Sequence, residues 1–314
     1  MSPLHPQTQA VVDALASMKL VPPHLLPVDQ ARAQFMRSRG QFLAPPAPVA
    51  SVTDRAIPGP GGEIPIRIYR PAGSRNDTPL PGLIYLHGGG WVFGNLDSHD
   101  PLCRELCNLS GCALVSVDYR LAPEHKFPAA FEDTLAAIRY VARHGASFGI
   151  DGARLAAGGD SAGGNLAAAA AIALRDEGEA TLALQFLLYP VTDLRMDTPS
   201  YTTLANGFTL TAERMRYFRD QYLNGEGDIG DWRASPLQAR SLEGLPPALV
   251  ITASHDPLVD EGRRFAERLT AAGVPATYVC YEGTVHGFMT MAGAIDVGHV
   301  AIAQTADACK VALT

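Results

Sequence analysis

Apolar and polar positions change rhythm near residue 52. Before it, apolar residues recur at helical spacing in two short runs, 8–19 and 29–39. The runs are separated by Val21-Pro22-Pro23 and closed by Ala44-Pro45-Pro46-Ala47-Pro48. A proline ring removes an N–H and locks φ, so these prolines stop helices and mark the piece as an appendage to the main fold. Beyond residue 52 the period shortens to two. Ile64, Ile66 and Ile68 alternate with Pro65, Arg67 and Tyr69, which suits a half-exposed antiparallel edge strand. Short apolar runs then come at 83–86, 112–117, 154–157, 182–189, 248–252 and 276–281, with helical spacing between them at 129–144, 162–175, 259–272 and 293–311. Strands alternating with helices predict an α/β fold, a mostly parallel sheet with helices on both faces.

One stretch breaks the alternation. Residues 195–231 hold Pro199, Asn206-Gly207 and a helical run at 212–223 between glycine-rich turns. They are read as an insertion that packs with the amino-terminal helices into a lid; an ordinary long crossover helix is the other reading. The expected organisation is cap helices at 1–50, an α/β domain made of 51–194 and 232–314, and a cap insertion at 195–231.

Composition narrows the function classes. A hydrophobic content of 47% with 18% charged residues suits a soluble globular enzyme with a sizeable core. A net charge of −7 speaks against nucleic acid or an anionic membrane surface as partner. The longest apolar stretch, 166–174, is far short of the ~20 residues that span a bilayer. No basic segment leads into an apolar run at the amino terminus, so no secretory signal is expected. The five cysteines (Cys103, Cys107, Cys112, Cys280, Cys309) read as free buried thiols in a reducing cytoplasm. Cys103 and Cys107 lie one helical turn apart but lack a second pair, and Asp97-Ser98-His99-Asp100 lacks a ligand-spaced partner. No metal site is expected, and the latter run reads as a loop tie.

The candidate chemistry begins at Gly159-Asp160-Ser161-Ala162-Gly163, between the apolar run 154–157 and an alanine-rich helix. A nucleophile elbow needs this layout, with serine on a sharp strand-to-helix turn and small residues two before and two after it. The helix amino terminus then turns free N–H groups toward a developing anion. The run His87-Gly88-Gly89-Gly90 comes after the earlier strand, where consecutive glycines let backbone N–H groups converge on an oxyanion. Gly88, Gly89, Gly90 and Ala162 are the candidate donors, and His87 is read as orienting the loop rather than moving a proton.

A serine hydroxyl needs a base. Of nine histidines, His286 stands on a loop after the apolar run 276–281, the carboxyl end of a parallel strand, where α/β sheets keep their sites. The orienting acid should precede it on the loop after the previous strand, which singles out Asp256. Asp260 and Glu261 open a helix and read as favourable first-turn charges; His255 reads as structural. Trp91, Phe93, Phe208 and Phe288 are candidates for an apolar acyl pocket, although aromatics more often pack in cores. Met36 and Met215 would suit its adaptable wall. Arg120 and Glu124 read as a buried ion pair that fixes the loop beside the glycines.

Together with Asp118-Tyr119-Arg120-Leu121-Ala122-Pro123-Glu124, Asp256-Pro257-Leu258 and His286-Gly287-Phe288, these motifs resemble the hormone-sensitive-lipase family of α/β-hydrolases, the bacterial family IV esterases, in their GDSAG branch. The match runs from about residue 52 to the carboxyl end; Val259 departs from it, where the family more often has arginine. The resemblance implies an eight-stranded sheet with one antiparallel strand, a cap from the amino terminus plus an insertion, and hydrolysis of short- to medium-chain acyl esters through an acyl-enzyme without a cofactor, often as a homodimer. The expected partner is a small-molecule ester. Amidase, deacetylase or lactonase activity on the same triad stays open, since fold and nucleophile do not decide the leaving group. A ligand-binding receptor on a hydrolase scaffold is the non-enzyme reading; such receptors have lost the histidine that is present here as His286.

Overall fold

The structure is a computed structural model that describes residues 2–75, 78–179 and 182–314. Its centre is one eight-stranded sheet of β1 (Ser51–Gly59), β2 (Gly62–Arg70), β3 (Leu80–Leu86), β4 (Ala113–Val117), β5 (Ile150–Asp160), β6 (Leu184–Leu188), β7 (Ala248–His255) and β8 (Ala276–Val285), in the order β1-β2-β4-β3-β5-β6-β7-β8. Only β2 runs against its neighbours, pairing antiparallel with β1 and β4, while β3 to β8 pair in parallel. The parallel strands carry apolar residues on both faces because both faces are covered. In β3, Leu83 and Tyr85 enter one buried cluster while Ile84 and Leu86 enter the other.

Nine helices are present among the described residues: α1 (Pro6–Ser17), α2 (Val28–Gly40), α3 (Asp100–Ser110), α4 (Ala129–His144), α5 (Ala162–Asp176), α6 (Ser200–Thr203), α7 (Ala212–Tyr222), α8 (Val259–Ala271) and α9 (Val297–Leu313). Leu102, Cys103 and Leu106 of α3 join Ala301, Ile302 and Ala306 of α9 on one face. Ala137 and Ile138 of α4, the buried alanines of α5, and Phe265 and Leu269 of α8 cover the other. The alanine run of α5 lets that helix lie close against β5, directly behind the turn that carries Ser161.

Two expectations change. The strand at 64–69 is antiparallel but not an edge, because β1 pairs along its whole length with register Ser51↔Arg70 to Gly59↔Gly62. The polar half of its pattern has another cause: Arg67 is satisfied by Asp54 across the ladder at 2.7 Å and by Asp97 at 2.8 Å. Helical spacing at 293–311 becomes a helix only from Val297, since residues 289–294 fold as turns in which Gly293 N–H donates to the Phe42 carbonyl at 3.1 Å.

Outside the sheet, residues 6–40 form α1 and α2, and residues 200–222 form α6 and α7. The α7 helix starts at Thr211, whose side chain accepts from Arg214 N–H at 3.1 Å. It ends where Lys126 donates to the carbonyls of Asp220 and Leu223 at 3.1 and 2.8 Å, a cation at the negative end of the helix. Arg32 of α2 reaches the carbonyls of Val92 and Ala122 at 2.8 and 2.9 Å and pairs with Glu124 at 2.7 Å. Both segments are thereby tied to the rim at the carboxyl ends of β3 and β4.

Candidate active site

Ser161 sits on the turn between β5 and α5 with φ 56° and ψ −117°, a left-handed φ that costs a residue with a Cβ about 1–3 kcal/mol. The surroundings hold it there. Its N–H donates to the Leu188 carbonyl at 2.8 Å, and its own carbonyl accepts from Asn165 and Val191 N–H at 3.1 and 3.2 Å. The flanking glycines are sterically required, because a Cβ on Gly159 or on Gly163 would overlap the carbonyl oxygen of Leu86.

His286 comes after β8 and Asp256 after β7, so both side chains arrive at the same sheet rim as Ser161. The imidazole lies between them, with Nε2 2.9 Å from Ser161 Oγ and Nδ1 2.6 Å from Asp256 Oδ2. Asp256 is fully buried, and its other oxygen accepts from Leu258 N–H at 3.0 Å. The His286 carbonyl is held by Thr209 Oγ1 at 2.7 Å, and the Tyr189 ring stands edge-on to the imidazole at 4.9 Å.

The glycine loop after β3 divides its amides. Gly88 N–H donates to Asp160 Oδ1 at 2.8 Å, so it is spent and cannot serve an oxyanion, contrary to expectation. The N–H groups of Gly89, Gly90 and Ala162 meet no protein acceptor among the described residues. Gly89 and Gly90 take φ of 122° and 62°, and side chains there would run into the Phe93 carbonyl and the Phe218 ring.

Asp160 ties the elbow to the glycine loop. Besides Gly88 it accepts from Tyr85 Oη at 2.8 Å and lies 3.0 Å from His99 Nε2. Burial pushes its carboxyl up, but His99, Tyr85 and Gly88 outweigh that and hold it below the usual range. His99 is in turn held by Ser98 Oγ at 2.8 Å, so the run 97–100 is a loop tie as expected. No metal-binding cluster occurs among the described residues. His87 is buried, stacks on Tyr119 at 4.3 Å and uses Nδ1 on the Gly88 carbonyl at 2.9 Å. Burial, with His99 beside it, depresses its pKa to about 4, so it stays neutral near pH 7 and away from the proton path.

A cavity of about 490 Å³ opens over Ser161 and His286, walled by the glycine loop, α1, α2 and the start of α7. Of the four expected pocket aromatics, Phe93 and Phe208 line it. Trp91 and Phe288 do not. Trp91 is fully buried and stacks on Tyr222 at 4.3 Å, while Phe288 packs between Tyr189 and Tyr281. Met36 contributes to the wall; Met215 is buried behind it. His255 bonds Ser254 Oγ at 2.9 Å and meets the Phe208 ring edge-on, holding a wall residue in place.

Two further expectations are corrected. Arg120 does not pair with Glu124; it takes Asp133 of α4 at 2.8 Å, whose carboxylate is almost fully buried and has the stronger need of a cation. Glu124 goes instead to Arg32. Glu261 is no exposed first-turn charge: it is fully buried and accepts from Thr192 and Asp193 N–H at 2.7 and 3.3 Å. Burial pushes its pKa well above the usual carboxylate range. Arg39, Thr209 and Arg214, all on the cavity wall, had no sequence signal, since nothing local marks a side chain that meets its neighbours only in the folded chain.

Known proteins resemble this chain in both sequence and fold. A family model described as the alpha/beta hydrolase fold matches residues 83–290. The chain is 46% identical to Carboxylic ester hydrolase LipN of Mycobacterium tuberculosis over 83% of this chain and 70% of that one. It is 37% identical to Ethyl acetate hydrolase of Pseudomonas putida over 96% of each. Among solved structures it superposes with a TM-score of 0.94 on an alpha/beta hydrolase enzyme from the metagenome of Lake Arreo, at 42% identity over 98% of both chains. The hyperthermophilic esterase of Pyrobaculum calidifontis gives 0.93 at 42% identity over 99% of both.

Proposed function

The chain belongs to the hormone-sensitive-lipase type of the α/β-hydrolases, and from that premise we propose that it is a carboxylesterase in which Ser161 is the nucleophile, His286 the general base and Asp256 the orienting acid. The observation that carries this reading is the imidazole with one nitrogen 2.9 Å from the hydroxyl and the other 2.6 Å from a buried carboxylate. Asp256 fixes the tautomer with the proton on Nδ1, which leaves Nε2 free to take the Ser161 proton. The hydroxyl oxygen attacks the ester carbonyl, and the charge that develops falls to the N–H groups of Gly89, Gly90 and Ala162. Each such donor contributes ~3 kcal/mol to the barrier. The imidazolium then protonates the departing alcohol, and water releases the acid from the acyl-enzyme by the same route.

Residues 1–50 and 195–231 act as a cap on this reading, because α1, α2 and α7 wall the cavity that the substrate enters. A volume of about 490 Å³ fits short to medium acyl chains. Five free cysteines, four of them buried, favour a reducing cytoplasm, and no helix among the described residues is long and apolar enough to cross a membrane. Self-association as a homodimer completes the reading, to be checked by light scattering.

Ser161→Ala tests the assignment. The variant is expected to fold, to lose turnover of p-nitrophenyl esters and to escape labelling by a fluorophosphonate. Turnover near the wild-type rate in that variant would refute the nucleophile.

A further inference from the structure

Two half-buried guanidinium groups in the cavity lack an anion among the described residues; Lys19, the other cation of the lining, is exposed to solvent. Arg39 of α2 and Arg214 of α7 both line it, yet neither comes within ion-pair distance of a carboxylate among the described residues. Arg32, Arg67, Arg120 and Arg233 of the same chain each have one. Arg39 Nη1 meets only the thioether of Met291, at 2.8 Å, and its Nη2 points at the Thr209 carbonyl from 3.5 Å. Arg214 Nη1 points at the same carbonyl from 3.3 Å. A thioether is a weak acceptor and one carbonyl is shared between two guanidinium groups, so most of their N–H groups are left for something else.

Keeping this pair is costly. Burial, with the charge of Arg214 adding to it, brings the Arg39 pKa down to about 10, and burial lowers Arg214 as well. Asp160 and Tyr189 are the groups that oppose the shift at Arg39, and Asp160 is already held by Tyr85, Gly88 and His99. Glu213 also lines the cavity, but it is exposed and pairs with neither arginine. The pair also sits close to the reacting groups. Thr209, whose carbonyl both arginines face, donates its hydroxyl to the His286 carbonyl at 2.7 Å. A Cβ added to Gly287, next in chain, would lie 3.9 Å from Arg39 Nη1.

We propose that Arg39 and Arg214 form an anion subsite and that the substrates this enzyme prefers are esters that carry a free carboxylate a short chain away from the scissile carbonyl. The proposal rests on the esterase reading and names the substrate class for it. The carboxylate accepts in fork geometry from the two guanidinium groups, which replaces mutual repulsion by charge-assisted hydrogen bonds in a partly desolvated site.

The test compares kcat/KM for two matched pairs: the p-nitrophenyl half-ester of glutaric acid against p-nitrophenyl pentanoate, and 4-acetoxybutyrate against butyl acetate. The first pair places the charge on the acyl side and the second on the alcohol side. The wild type should favour the charged member of one pair by at least ~10-fold, the usual worth of a charge-assisted bond. That ratio should fall at least ~10-fold in Arg39→Met and in Arg214→Met, with partial recovery in Arg39→Lys, which keeps the charge and loses the fork. A ratio equal in wild type and both methionine variants, for both pairs, overturns the proposal. Binding of glutarate to Ser161→Ala, read by calorimetry, is independent of turnover. It should be lost in Ser161→Ala/Arg39→Met, and glutarate binding that survives the second substitution counts against the subsite. If no ester of either pair is turned over while glutarate binds through Arg39, the esterase reading fails and the anion subsite stands.

Discussion

Asp256→Asn separates an orienting acid from a merely buried carboxylate. Both oxygens of Asp256 are engaged, Oδ1 by Leu258 N–H at 3.0 Å and Oδ2 by His286 Nδ1 at 2.6 Å, and no part of the residue is exposed to water. An asparagine can sit there in two ways. With its oxygen on Leu258 N–H, its NH2 faces Nδ1 and makes that nitrogen an acceptor; the ring proton then moves to Nε2 and points at Ser161 Oγ, where it blocks the base. With the amide flipped, the useful tautomer returns, but NH2 faces the Leu258 N–H and two buried donors go unsatisfied, at ~1–3 kcal/mol each. The flipped form is therefore ~4 kcal/mol less stable and populated about 10³-fold less. Loss of the charge that steadies the imidazolium brings the expected fall in kcat to about 10⁴-fold, with a melting temperature near wild type because the inactive form keeps both hydrogen bonds. The assay is steady-state hydrolysis of p-nitrophenyl butyrate with thermal unfolding run beside it. A fall in kcat of less than about 10-fold, in a folded variant, would refute the tautomer argument.

Gly163→Ala places a methyl group against the Leu86 carbonyl, which belongs to the sheet and cannot retreat; a loss of about 3 kcal/mol in thermal unfolding is expected, and an unchanged melting point would show that the elbow is looser than its geometry. Glu261→Gln tests a buried acid. Because burial raises the Glu261 pKa in the folded chain, its contribution is fully present below the unfolded value of 4.5 and is lost as pH rises toward the folded one. The melting temperature of the glutamine variant should gain on that of the wild type from pH 5 to pH 8, and a constant difference would rule out the burial argument.

Short-range backbone geometry explains which parts were legible in the sequence. The elbow is five residues long, and its glycines are forced by contact with a neighbouring strand, so the pattern carries its own structural reason. Asp256 and His286 were legible because the order of strands places the loops after β7 and β8 at one rim. β1 was missed since Ile57 is its only buried residue and the rest of its run reads as polar loop. α3 is short and its buried face is shared between two cysteines and two leucines, Leu102, Cys103, Leu106 and Cys107, so its helical spacing is hard to separate from a pair of thiols one turn apart. The glycine loop was legible as a loop, but which amide is free was not, because the acceptor that occupies Gly88 lies 72 residues further along.

Ion pairing in this chain follows burial instead of sequence proximity. Arg120 and Glu124 looked like a pair at four residues' separation, yet Asp133, deeper and otherwise uncompensated, takes the arginine, and Glu124 reaches back 92 residues to Arg32. That exchange fastens α2 to the rim of the sheet, and α2 also carries Arg39 into the cavity. The consequence is a division within one site. The groups that break the bond stand on the carboxyl ends of strands, where register leaves them little freedom. The groups proposed to choose the substrate stand on α2 and α7, held through contacts such as Arg32–Glu124 and Lys126 with the α7 terminus. Substitutions at those fastenings should therefore shift the preference between charged and neutral esters more than they slow the acyl transfer itself.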